Sequence, residues 1–216
     1  MCTLIVKPGR TLTLLGVRDE FTDRPWEAPG EHWPEHHPGV VGGRDLKAGG
    51  TWLAVNPAAR RAAALLNGRG RHAPESDRLS RGDLALRAVS TGEPPGPDLT
   101  RYDPFHLVLA DLARIRMFSW DGDRLTTTDL PDGVSMIVNT GLDPASERVV
   151  VYLPRFESEA WSELIKAEPS ADPGALIVRH ELPGGRVFAS LSVMEVSLSA
   201  EDVTYQFTDL TADRDR

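Results

Sequence analysis

Cys2 is the only cysteine of the chain and directly follows Met1. Cysteine is small enough at that position for an aminopeptidase to remove the methionine before it. The product would carry a thiol and a free α-amine on one residue, and an amine with an ordinary pKa of about 8 can serve as the general base for its own side chain. A small buried apolar side chain fits the same position equally well. A lone cysteine rules out an internal disulfide and a Cys-rich metal site, so the residues brought near it decide between these readings.

Those residues depend on the elements that carry them. Thr3–Val6 and Thr11–Val17 are short β-branched and leucine-rich runs separated by Lys7-Pro8-Gly9-Arg10, where Pro and Gly supply a turn. The chain is therefore expected to open with a hairpin, and Arg18-Asp19-Glu20 at its far end comes beside the start of the first strand. A guanidinium there would favour the thiolate, and a carboxylate could orient the amine. The plainer alternative is a surface Arg-Asp pair.

Further along, 22–50 is rich in Pro, Gly, Trp and His without a period and reads as a long ordered loop covering the cleft above Cys2, with Trp26 and Trp33 suited to line it. Strands are expected at Thr51–Val55, Ala62–Leu66, Phe105–Leu109, Arg114–Trp120, Leu125–Asp129 and Met136–Val138, with Asp121-Gly122 as a hairpin turn. Helices are expected at Ser76–Ser90, behind a Ser cap, and at Ser158–Ala167. Val187–Leu198 and Val203–Thr208 read as a terminal hairpin. Strands at both ends with helices between predict an α+β layered protein, and no Gly-x-Gly-x-x-Gly follows a strand to suggest a dinucleotide fold.

Several segments together resemble the NRDE family, also called the transport and Golgi organisation family. They are Met1-Cys2-Thr3-Leu4-Ile5, Arg18-Asp19-Glu20-Phe21 with Arg24-Pro25-Trp26, Gly42-Gly43-Arg44-Asp45-Leu46, and Ala48-Gly49-Gly50-Thr51-Trp52-Leu53. The likeness continues through Leu66-Asn67, Ser80-Arg81-Gly82 and Val138-Asn139, and thins after about Arg155. The resemblance implies a four-layer αββα sandwich of the N-terminal-nucleophile (Ntn) hydrolase type, shared with cysteine amidases such as bile-salt hydrolases and penicillin V acylases. Carried over residue by residue, it implies Cys2 as nucleophile, Arg18 and Asp19 as its neighbours, and Asn67 and Asn139 as holders of the oxyanion. An Asn amide is chemically suited to that task, although both Asn residues also suit turns. Val17 stands where the family's name-giving Asn would be, and Arg186 is the nearest match to its late Arg.

Other features qualify this reading. The glycines around Arg44 and before Trp52 would let backbone amides approach an anion, with Arg44, Trp52 and Trp26 as ligand contacts, but such glycines more often permit tight turns and close packing. His32, His36 and His37 have no partner spacing of a known metal or haem motif, so no metal or cofactor is expected. The formal charge of −8 and the absence of a basic run argue against nucleic acid. No apolar run is long enough to span a bilayer and no secretory signal is visible, so the expected compartment is the cytoplasm. With 216 residues the chain suits one domain over 1–210 and a polar tail over 211–216. The expected activity is hydrolysis or acyl transfer on a small amide or acyl ester; the other reading is a binding or trafficking protein for a haem-like or lipid-like acyl ligand. Sequence leaves the oligomeric state open.

Overall fold

A computed structural model describes residues 3–96 and 98–211. Met1, Cys2, Pro97 and residues 212–216, which make up nearly all of the expected tail, lie outside the described residues.

β1 (Thr3–Lys7) and β2 (Leu12–Phe21) form the opening hairpin in the register Thr3 opposite Val17 through Lys7 opposite Thr13. The segment 22–50 is not the loop expected of it: it contains β3 (Trp26–Gly30) and β4 (Val41–Asp45). β3 is an edge strand and tolerates Pro29, while Gly42 and Gly43 give β4 no side-chain alternation, so neither carries the usual sequence signal. β5 (Leu53–Asn56) and β6 (Arg61–Asn67) follow.

The first expected helix starts late. A 3₁₀ turn at Glu75–Asp77 is followed by extended backbone at Arg78, and the helix proper, α1, spans Gly82–Thr91. Leu79 N–H is drawn out to the Arg101 carbonyl at 2.8 Å, which breaks the helical run that the leucine spacing implies. Gly92, at φ 78°, closes α1 with its N–H on the Ala88 carbonyl. β7 (Phe105–Asp111), β8 (Ile115–Trp120), β9 (Leu125–Asp129) and β10 (Ser135–Val138) agree closely with expectation, and Gly122 turns β8 into β9 at φ 97°.

α2 (Glu147–Ser158) ends where a helix was expected to begin, and only the short α3 (Trp161–Leu164) lies in the expected stretch. Pro154 inside α2 and the solvent-facing Val150 and Val151 hide its helical pattern. β11 (Arg179–Glu181), β12 (Val187–Leu198) and β13 (Val203–Asp209) complete the chain.

The strands form two sheets, and every pairing between them is antiparallel. One is a seven-stranded meander in the order β3 to β9; the other runs β10-β1-β2-β12, with β11 and β13 both on the far side of β12. Strand alternation assigns the faces. Leu4, Val6, Leu12 and Leu14 pack with Leu53, Ala64, Val108 and Met117 between the sheets. Ile5, Leu15 and Val17 face the opposite way and pack with Val149, Phe156 and Leu164 of α2 and α3. On the outer face of the meander, Ala63, Leu107 and Leu109 pack with Leu84, Leu86 and Val89 of α1. The stack reads helix, sheet, sheet, helix, and is α+β as the sequence implied. Among the described residues, no helix is long and apolar enough to cross a membrane.

Candidate functional site

Thr3 begins β1 with β2 on one side and β10 on the other, opposite Val17 and Val138 respectively. One or two residues beyond those partners stand Arg18, Asp19 and Asn139, so three of the side chains expected around Cys2 gather at this sheet end. Cys2 itself lies outside the described residues.

Alternation sends Arg18 and Asp19 to opposite faces of the sheet. Arg18 follows Leu12 and Leu14 into the space between the sheets and is only 2% exposed. Its guanidinium carbon stands 4.2 Å from the centroid of the Trp52 ring and 5.8 Å from that of Trp26, a cation held on aromatic faces. Trp26 meets Trp52 edge-on at 6.2 Å and leans on Phe207 at 5.6 Å. Trp33 goes elsewhere, packing toward the α1 side with its indole N–H on the Gly49 carbonyl at 2.8 Å.

Asp19 points toward α2. Its Oδ1 accepts from Ser190 Oγ at 2.6 Å, and its Oδ2 accepts from Arg148 Nη1 at 3.2 Å. The same Arg148 nitrogen donates to Thr3 Oγ1 at 2.8 Å, which ties the first residue of β1 to the carboxylate. Side-chain exposures of 1% for Asp19 and 11% for Arg148 make this a buried ion pair. Sequence reasoning missed Arg148 and Ser190. Arg186, the late Arg considered from sequence, pairs instead with Asp23 at 3.1 Å and lies over Phe21.

The pairing of β2 with β12 shifts register between Ser190 and Ser192, directly opposite Asp19 and Arg18. Such a bulge re-aims side chains, and here it turns both serines into buried positions at the strand end that holds the site. The serine spacing, one residue off strict pairing, offers no signal of this in the sequence.

Two cavities flank this strand end. Asp19, Asn139 and Arg148 line one of about 400 Å³, together with His180 and Phe188. Arg18, Asn67 and Trp52 line another of about 430 Å³. Asn139 thus shares a cavity with Asp19, and Asn67 shares one with Arg18. Asn139 is half-buried in a tight turn closed by mutual Val138–Gly141 backbone bonds, while Asn67 is exposed at the end of β6. Beside that turn lies His106, where a methyl on Gly141 would come within 3.2 Å of Cε1. Burial holds the His106 imidazole below its ordinary pKa, so it is neutral at pH 7.

Arg44 approaches Glu27 at 3.8 Å and lines neither cavity, as is also true of Trp26. The glycines near Arg44 serve close packing. A side chain on Gly50 would run into the Gly82 backbone at 2.6 Å, and one on Gly43 would enter the Trp52 ring. Gly43→Ala is therefore expected to displace Trp52 and cost about 1–3 kcal/mol, read as a lowered midpoint in urea. A midpoint equal to the parent would show that the ring has room to move.

The histidines of 22–50 disperse. His32 Nε2 lies 2.8 Å from the Ala28 carbonyl, His37 Nδ1 lies 2.9 Å from Ser90 Oγ, and His36 is exposed. Among the described residues, no group of three His, Cys, Asp or Glu side chains could hold a metal ion.

Comparison with known families matches residues 1–169 to the model described as Transport and Golgi organisation 2. Comparison with curated proteins gives no match. The family match stops before β12, yet that strand supplies Ser190 and the full-length neighbour of β2.

Proposed function

The chain belongs to the Transport and Golgi organisation 2 family, and on that footing we propose that it is an N-terminal-cysteine hydrolase or acyltransferase acting on an amide or acyl ester. The helix-sheet-sheet-helix stack is read here as the αββα sandwich of Ntn type, forming one domain over 1–210 and working in the cytoplasm. The observation that carries the reading is the gathering of Arg18, Asp19 and Asn139 around the start of β1, whose first described residue is bonded to Cys2.

In this mechanism Met1 is removed and the freed α-amine of Cys2 takes the thiol proton. The sulfur attacks the substrate carbonyl carbon, and the electron pair moves to the oxygen. Arg18, a cation at the same strand end, favours the thiolate. Asp19, held in place by Ser190 and Arg148, accepts from the α-amine and orients it. Asn139 donates to the oxyanion, with Asn67 as a second donor from the Arg18 side. Collapse breaks the bond to the leaving amine or alcohol, which receives the proton from the Cys2 amine. The acyl thioester is then cleaved by water, giving a carboxylic acid, or passed to an acceptor amine or alcohol.

A panel of p-nitroanilide and p-nitrophenyl acyl substrates tests this. Release of the chromophore should be lost in Cys2→Ala and should follow a burst when the thioester accumulates. Equal release by Cys2→Ala would refute the proposal.

A further inference from the structure

The cavity on the Arg18 side has an unbalanced charge. Its wall carries five basic and three acidic side chains. The acids are already engaged: Asp45 accepts from Arg24 at 2.6 Å, Glu20 lies 3.8 Å from the same guanidinium, and Asp103 pairs with Arg78 at 3.2 Å. Among the described residues, neither Lys47 nor Arg81 has a carboxylate within ion-pair distance. Arg81 is half-buried beside the cavity, with Nη1 donating to the Pro104 carbonyl at 2.8 Å and its other N–H groups left to serve a ligand. Loss of water lowers its pKa, Asp103 offsetting part of this, yet the group stays charged at neutral pH. A desolvated cation without a counter-charge is costly, and an anion placed beside it relieves that cost. Apolar surface adjoins the charge, because Trp52, Leu65 and the 38% exposed Leu79 share the same wall.

We propose that this cavity binds the oxyanion group, carboxylate or phosphate, of a small acyl compound, with Arg81 and Lys47 holding the anion and Trp52, Leu65 and Leu79 holding the chain. The proposal deepens the reading above by naming the substrate class. Its readout is binding rather than turnover, so either idea can fail without the other.

Isothermal titration calorimetry of the full chain with octanoate, octyl phosphate and 1-octanol provides the test. At least one of the two anions should bind about tenfold or more tighter than the alcohol, as a charge-assisted bond implies, and the comparison between them tells which oxyanion is preferred. Arg81→Gln should remove about tenfold of that preference and leave the alcohol unchanged, while Arg81→Lys should retain most of it. Cys2→Ala should bind as the parent does. Should Arg81→Gln not fold, Lys47→Gln, at an exposed position, must still weaken the anion alone. Equal affinity for anion and alcohol, no binding of any of the three, or a preference untouched in the folded variants would overturn the proposal.

Discussion

Asp19→Ala should lower the stability of the protein by about 3–5 kcal/mol, the usual loss when one partner of a buried ion pair is removed. The change strands Arg148, whose side chain is 11% exposed, and takes the acceptor from Ser190, which is fully buried. It also cuts the tie between α2 and β2, leaving the Arg148 nitrogen that bonded both Asp19 and Thr3 with Thr3 alone. Asp19→Asn keeps an acceptor for Ser190 and isolates the loss of charge. Urea unfolding followed by fluorescence provides the measurement. A loss below about 1 kcal/mol would place the pair in the class of exposed ion pairs and remove its structural role.

Asn139→Ala should leave the unfolding midpoint within a few tenths of a kcal/mol of a surface change and reduce turnover by about 10²-fold or more. The turn it occupies is held by backbone bonds between Val138 and Gly141 and by Thr140 Oγ1 on Asp143 at 2.8 Å, none of which needs the Asn139 amide. The side chain lines the cavity shared with Asp19, so its removal should be felt in the chemical step. Unchanged turnover with about 1 kcal/mol of lost stability would assign it to shaping the turn alone.

Much of the frame behind these expectations was legible because it rests on local signals. Pro8-Gly9 and Asp121-Gly122 announce hairpins, and β12 and β13 are rich enough in alternating residues to be read directly. The hairpin also brought Arg18 and Asp19 to the expected strand end, but the expectation of both beside Cys2 left out strand alternation, which sends them to two separate cavities. What escaped lacks a local signal. β3 and β4 are a Pro-containing edge and a Gly-Gly strand; α2 contains Pro154; and Arg148 is one arginine among several until its helix folds over Asp19. The bulge at Ser190–Ser192 depends on how β12 meets β2, a pairing between residues about 170 positions apart, as the separation of 171 between Ser190 and Asp19 shows. Arg81 escaped for a related reason: only folding shows that the acids around it are spoken for.

The most direct test of an activated N-terminal cysteine is the intact mass of the native protein before and after timed exposure to iodoacetamide at neutral pH. The account predicts a chain lighter by one methionine residue and a single adduct at Cys2, formed faster than on free cysteine and slowed in Arg18→Met, which removes the cation at the neighbouring end of β2. A chain that keeps Met1 in an active, soluble preparation, or a Cys2 that labels no faster than free cysteine, would contradict it.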